Sequence, residues 1–194
     1  MCPRTTSQFE HIRKEKRQLI LDSALNVFAK KGYHGASIAT IAKEAGISKG
    51  LIYNYFSSKE AVLKETLYTG LEYMFEQYRF DPDKFTTEQF SQLIDLTFSL
   101  LEKDFAYWKI YFSVLMQAEV MELIQDKLME IMIPIIEGFS IILAKMGYNN
   151  PMQEARFLGA TIDGLSINYI TDPKSFPKQY CVNRLKSIYN LPLK

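Results

Sequence analysis

Apolar residues recur every three to four positions along most of the 194-residue chain, which is the period of an amphipathic α-helix. In the segment 17–33, for example, Ile20, Ala24 and Phe28 fall on one helical face. Signals for β-hairpins are nearly absent, because no Asn-Gly type dipeptide joins two stretches of alternating polarity. The pattern therefore predicts an all-α fold of about nine helices.

Two short helices near the N-terminus are separated by a tight turn. Ser37 is a fair N-cap for a helix over 38–45, and Ser48 is a fair N-cap for a helix over 49–55. Gly46 permits the turn between them. Two short helices joined by a turn that contains glycine are typical of a helix-turn-helix, which predicts an N-terminal three-helix domain of this kind.

Longer helices follow. Gly32 suits the left-handed cap of the first helix, and Pro134 is expected to kink the longest one. The later helices are predicted at 59–78, 88–102, 104–116, 119–146, 152–171 and 175–190. We expect residues 1–58 to form the helix-turn-helix domain and residues 59–194 to form a helical domain for effector binding and dimerisation.

Charge is divided unevenly between the two ends of the chain. Residues 1–64 carry 11 Lys/Arg and 5 Asp/Glu, a net charge of +6, whereas residues 65–194 carry 12 and 17, a net charge of −5. A basic N-terminal third joined to an acidic remainder suggests that the N-terminal end meets a polyanion.

The segment 49–56 has features that packing alone does not explain. On a helix, Ile52 and Phe56 continue the core, while Lys49 and Tyr53 share the opposite face with Gly50 beside them. Glycine costs a helix about 1 kcal/mol relative to alanine, so it is understandable where DNA must approach the backbone. Taken singly, the tyrosine is as well explained as a surface aromatic and the lysine as a solvated charge. Taken together, these residues favour DNA binding.

Residues 18–67 closely resemble the DNA-binding domain of the TetR family of bacterial transcriptional regulators. The resemblance is carried by the helix end at Phe28–Gly32 and by Ile41-Ala42, Ala45-Gly46, Ser48, Gly50, Tyr53, Phe56 and Lys59-Glu60. It implies that the residues facing double-stranded DNA are Lys49, Gly50, Leu51, Tyr53, Asn54 and Tyr55. It implies that phosphates are held by Ser37, Ser48 and Lys59.

The chain departs from the family pattern at two positions in this segment. Ala36 stands where the family often has threonine, which removes one hydroxyl group. Leu51 is larger and less polar than many residues of the family at that position, and it would contact a thymine methyl group rather than donate a hydrogen bond.

The sequence 158–170 is similar to the eighth helix of the family, which implies a four-helix homodimer interface. The interface residues expected from this resemblance are Phe157, Ala160, Thr161 and Gly164. An ordinary core helix is the alternative interpretation. A two-fold dimer would place its two recognition helices about 34 Å apart and would bind a palindromic operator.

The resemblance also implies a cavity for a hydrophobic or aromatic effector between the middle helices. Its expected lining residues are Met74, Tyr78, Phe98, Trp108, Tyr111, Met116, Gln117 and Tyr169. Taken one by one, such side chains are more often plain core. The implied regulation is a tilt of the helix over 59–78 that changes the spacing of the two recognition helices.

Other classes of protein fit the sequence less well. His11 and His34 are the two histidines of the chain, and no nucleophile elbow, phosphate loop or metal-spaced cluster is present. We therefore expect no enzyme, no cofactor and no metal. A dimeric DNA-binding protein without a small-molecule effector, controlled by a protein partner or by DNA alone, remains the alternative function.

The expected location is the cytoplasm, without a membrane partner. No apolar stretch reaches the roughly 18 residues that cross a bilayer, and the polar N-terminal segment lacks the apolar core of a secretory signal. Cys2 and Cys181 lie far apart with no CxxC motif, so both are expected to be reduced.

Overall fold

The computed structural model describes residues 6–193, so Cys2 lies outside the described residues. The regular structure in this range is helical throughout and contains no strand, which confirms the all-α prediction. The helices are α1 (Thr6–Gly35), α2 (Ile38–Glu44), α3 (Lys49–Tyr53), α4 (Lys59–Phe75), α5 (Thr87–Lys103), α6 (Phe105–Leu115), α7 (Ala118–Lys145), α8 (Pro151–Thr171) and α9 (Lys178–Ile188). A short 3-10 helix, Glu76–Tyr78, follows α4.

Most predicted helix limits agree with the structure within one or two residues, and the end of α4 and the start of α9 differ by three. Helix α3 ends at Tyr53 rather than at residue 55, and the buried Phe56 follows it. Helix α4 gives way to the tighter 3-10 turn three residues before its predicted end. Pro134 lies inside α7, and the helix continues through it to Lys145.

Gly32 ends the regular part of α1, as predicted. Its φ of 68° and ψ of 170° are non-helical, and a positive φ favours glycine over any residue with a side chain. The chain leaves the helix axis at this point and enters α2 at Ile38.

The chain forms two compact units. The first contains the residues up to Leu71 together with Ile110–Gln125, and the second contains Glu72–Lys109 together with Asp126 and the residues after it. The functional division after residue 58 stays a prediction. Helix α4 runs from the first unit into the second.

The core of the first unit joins α1, α2, α3 and the first part of α4. Its fully buried apolar side chains include Ile20, Phe28, Ile41, Ile52 and Leu63. This core holds α3 against α1 and α2, and it leaves the opposite face of α3 uncovered.

Helix α6 is fixed to α4 within the first unit by one aromatic ring. Tyr111 is fully buried, and its hydroxyl donates a hydrogen bond of 2.7 Å to the carbonyl oxygen of Leu67. A Cβ atom on Gly70 would lie 2.2 Å from the same ring, so glycine is the residue that permits this approach.

The second unit has its own core, built from α5, α7, α8 and α9. Its buried residues include Phe90, Phe98, Phe139, Leu158 and Leu185. Among the described residues, no helix combines the length and the apolar character that a membrane crossing requires.

Candidate nucleic-acid interface

Helix α3 is anchored on one face and open on the other. Ile52 and Phe56 are buried, as their spacing predicts. The Ser48 hydroxyl accepts a hydrogen bond of 3.2 Å from the backbone N–H of Leu51 and caps the helix. On the open face, Tyr53 is 50% exposed and the Nζ atom of Lys49 lies 5.8 Å from the centre of its ring.

Gly50 lies on the open face, and packing inside the chain does not require it to be glycine. A Cβ atom built at this position would meet no heavy atom of the described residues within 4 Å. Gly50 therefore does not make room for a neighbouring helix within the part of the chain that the structure describes. The missing side chain instead leaves the backbone of α3 accessible from outside.

Helix α2 begins with a capping box, of which the sequence pattern indicated only the Ser37 half. The Ser37 hydroxyl accepts a hydrogen bond from the N–H of Thr40, and the Thr40 hydroxyl accepts one from the N–H of Ser37, at 3.2 and 2.9 Å. Thr40 is therefore the residue that fixes the rotamer of Ser37. Ala36, where the family often has threonine, is buried.

Lys59 ties the start of α4 to the end of α1. Its ammonium donates hydrogen bonds to the carbonyl oxygens of Tyr33 and Ala36, at 2.7 and 3.1 Å, and lies over the Tyr33 ring. Two of its three N–H donors are thus used inside the protein. The phosphate contact of Lys59 stays a prediction that concerns the remaining donor.

Arg17 of α1 is a structural residue of this domain that the sequence pattern did not indicate. Its guanidinium pairs with the Glu65 carboxylate through two N–H groups and stacks 4.6 Å from the centre of the Phe56 ring. It also donates a hydrogen bond of 3.4 Å to the carbonyl oxygen of Tyr55. No local spacing indicates these contacts, because the partners are 38 and 48 residues away along the chain.

Three residues predicted to line an effector cavity belong to the first unit. The carboxamide of Gln117 accepts a hydrogen bond from the N–H of Tyr33 at 3.0 Å and donates one to the carbonyl oxygen of Phe28 at 3.3 Å. It therefore satisfies backbone groups at the end of α1. Tyr111 is fully buried against α4, and Met116 is 55% exposed.

A cleft of about 720 Å³ lies in the second unit, between the end of α4, the chain that follows it and α7. Of the eight residues predicted to line a cavity, Tyr78 is the one that lines this cleft. Apolar lining residues are Phe75, Tyr78, Phe80, Ile131, Ile135 and Ile141. Burial raises the pKa of the Tyr78 hydroxyl above its ordinary value, and this hydroxyl hydrogen-bonds to the Thr97 hydroxyl.

The other four predicted lining residues lie elsewhere in the second unit. Phe98 and Trp108 are buried, and the Trp108 indole N–H donates to the carbonyl oxygen of Leu100 at 3.0 Å. The Tyr169 hydroxyl donates to the Glu102 carboxylate at 3.1 Å, and Met74 is half-buried. Their present contacts are those of core and surface residues.

One face of α8 is not covered by the other residues that the structure describes. Phe157 is 52% exposed, and Ala160 is exposed as well. Thr161 and Gly164 are half-buried, and a Cβ atom on Gly164 would meet nothing within 4 Å. The four residues predicted for a dimer interface thus share one accessible stripe. No cluster of three or more His, Cys, Asp or Glu side chains suited to a metal occurs among the residues that the structure describes.

Comparison with known proteins gives a consistent result. The sequence model for "Bacterial regulatory proteins, tetR family" matches residues 20–66. The "Fatty acid metabolism regulator protein" of Bacillus subtilis is 37% identical over 97 residues, which are 47% of this chain and 48% of that protein. The "HTH-type transcriptional repressor KstR2" of Mycolicibacterium smegmatis is 34% identical over 113 residues, which are 57% of this chain and 53% of that protein.

The chain thus spans about half the length of these curated relatives. Among solved structures, the regulator FadR from Bacillus subtilis in complex with stearoyl-CoA aligns with a TM-score of 0.68 and 24% identity. That alignment covers 89% of this chain and 96% of the other, and at this identity it shows a common fold.

Proposed function

Since the chain belongs to the TetR family of bacterial transcriptional regulators, we propose that it is a cytoplasmic repressor that binds a palindromic operator as a homodimer. A hydrophobic small molecule releases it from the DNA. The observation that carries the proposal is the open face of α3, where Lys49, Tyr53 and Asn54 are exposed around a glycine that no internal contact requires.

The open face has the chemistry of a DNA-reading surface. Tyrosine hydroxyls and lysine ammonium groups donate hydrogen bonds to phosphate oxygens, and a helix with one accessible side fits the major groove. Besides the three exposed residues and Gly50, the proposed DNA contacts are Leu51, Tyr55, Ser37, Ser48 and Lys59. Leu51 and Tyr55 are half-buried, so each can present part of its side chain to DNA.

DNA binding is tested by selecting bound sequences from a random pool and measuring the affinity of Tyr53→Phe for the selected operator. We expect the operator to be palindromic. The variant should bind more weakly at an almost unchanged melting temperature, because it lacks one phosphate-binding hydroxyl per half-site while Ile52 and Phe56 still anchor α3. Full affinity in the variant would remove Tyr53 from the contact set, and failure to select any DNA would overturn the proposed function.

Dimerisation is proposed to use the uncovered stripe of α8. Small residues at Ala160 and Gly164 let a partner helix approach closely, and the exposed ring of Phe157 supplies apolar area. A two-fold axis through this stripe gives each dimer two copies of α3, as a palindrome requires.

The effector is proposed to enter the cleft of the second unit. A volume of about 720 Å³ falls within the range of roughly 300–1,000 Å³ that is usual for ligand sites. The aromatic and aliphatic lining residues suit an apolar body, while charged residues, Arg79 and Lys127 among them, line the rest of the cleft. The cleft is lined at the end of α4 by Phe75, so a ligand there contacts the helix that continues into the first unit. Stearoyl-CoA is a rational first probe, because it is bound in the structurally similar FadR.

We expect stearoyl-CoA to raise the melting temperature of the protein and to weaken operator binding, and we expect Ile131→Trp to abolish both effects by filling the cleft. The matched control is Ile133→Trp, since Ile133 lies on the same helix, is 46% exposed and is absent from the cleft lining. If a panel of acyl-CoA thioesters, fatty acids and aromatic compounds leaves the melting temperature unchanged, the effector-free alternative replaces this part of the proposal.

A further inference from the structure

The first half of α1 lies outside the segment that matches the family. The match begins at residue 20, whereas α1 begins at Thr6. Residue 20 is also where the buried face of α1 begins, and the residues from Ser7 to Leu19 are exposed or half-buried. This segment is called the α1 extension below. Packing in the core of the first unit therefore does not explain which residues the α1 extension contains.

The inner face of the α1 extension runs along the end of α3. Arg13, Arg17, Ile20 and Ala24 are spaced by three or four residues, so they share one helical face. Ile20 and Ala24 are buried in the core, and Arg17 stacks on Phe56 at its edge. One turn further out, the Arg13 guanidinium lies 5.9 Å from the centre of the Tyr55 ring.

The cations of the α1 extension are available to a partner. Its exposed basic residues are Arg13, Lys14 and Lys16, and none of the described carboxylates lies within ion-pair distance of them. Glu15 contacts His11 at 3.3 Å instead, and Arg17 is held by Glu65. An exposed arginine above an aromatic ring is partly oriented before it binds, which lowers the entropic cost of binding.

We propose that the α1 extension is a second DNA-contacting element, in which Arg13 binds a backbone phosphate beside the half-site that α3 contacts. The inference rests on the proposed DNA-binding function. The Arg13 guanidinium lies over the Tyr55 ring, next to the exposed Tyr53 and Asn54 at the end of α3. A phosphate strand that borders this end of α3 would therefore come within reach of Arg13. The planar guanidinium binds phosphate through two N–H groups, so the contact fixes the register of the protein on the DNA without reading bases.

The test compares the full-length wild-type protein with two variants. Arg13→Gln removes the positive charge of Arg13. The double variant Arg13→Gln, Gln18→Arg has the same net charge as the wild-type protein, but the charge lies on the outward face of α1. Residue 18 is exposed and lies five positions further along the helix. Operator affinity is measured across a salt series by fluorescence anisotropy, and phosphate contacts are mapped by ethylation interference. Circular dichroism checks that all three proteins fold.

We expect Arg13→Gln to bind the operator several-fold more weakly, and we expect its salt slope to fall by about 0.9 for each phosphate that the arginine neutralises in the wild-type complex. The ethylation map should show one phosphate fewer per half-site, and the double variant should remain weak. Wild-type affinity in Arg13→Gln, or recovery in the double variant, would overturn the proposal, since recovery would mean that net charge alone acts. A wild-type protein that binds no DNA would instead overturn the proposed function itself.

Discussion

Ala160→Glu is expected to give a folded monomer whose affinity for the palindromic operator falls far more than its affinity for a single half-site. Ala160 lies near the middle of the exposed arc of α8, so a symmetry mate packed there would meet the new carboxylate. Because the interface is two-fold, each dimer would bury two like charges near the axis. A buried charge without a partner costs about 3–5 kcal/mol, which is a hundredfold or more in a dissociation constant.

The matched control is Ala144→Glu, which makes the same substitution at an exposed alanine of α7 outside the predicted interface. Sedimentation velocity should show a dimer for this control and a monomer for Ala160→Glu. Far-ultraviolet circular dichroism should give the same helical content for both. A folded Ala160→Glu protein that still sediments as a dimer would place the interface elsewhere on the chain.

The parts of the fold that were predicted correctly are those whose signals are local. Ser37 and Ser48 cap their helices through N–H groups three residues ahead, and Gly32 has the positive φ that its place after two lysines suggests. The burial of Ile52 and Phe56 follows from a four-residue spacing. Such features depend on the chain within about one helical turn, so a single sequence contains the information.

The contacts that hold the helix-turn-helix together were not predictable in the same way. Lys59, Arg17 and Gln117 each bind groups between 23 and 89 residues away along the chain. Polar residues whose partners are so far away along the chain leave no periodic pattern in the sequence that identifies those partners. The family resemblance implies that Gln117 lines an effector cavity, and its carboxamide equally suits the backbone groups at the end of a helix.

The residues that line an effector cavity are hard to identify from the sequence for a different reason. Aromatic and methionine side chains at helical spacing are expected both in a core and in a cavity, because both environments exclude water. Trp108 and Tyr111 are fully or almost fully buried, and each donates a hydrogen bond to a backbone carbonyl. Which apolar residues border empty volume depends on how α4 and α7 diverge, and that is a property of the assembled helices.

Gly70→Ala is expected to destabilise the protein, although alanine is the better helix former. In an unconstrained helix interior the change would gain about 1 kcal/mol. The new methyl carbon would lie 2.2 Å from the Tyr111 ring, which is fully buried and held by its hydrogen bond to Leu67. Overpacking of this kind costs about 1–3 kcal/mol, so the clash outweighs the helix propensity.

Urea denaturation of three variants separates the two effects. Gly159→Ala is the matched control, since Gly159 lies inside α8 and a Cβ atom there would meet nothing within 4 Å, so its midpoint should rise or stay unchanged. In a Tyr111→Leu background the ring is absent, and Gly70→Ala should then cost much less than it does in the wild-type protein. If Gly70→Ala is as stable as Gly159→Ala, the Tyr111 ring does not rest on the backbone of α4. If the cost persists without the ring, its cause is a contact of Gly70 other than Tyr111.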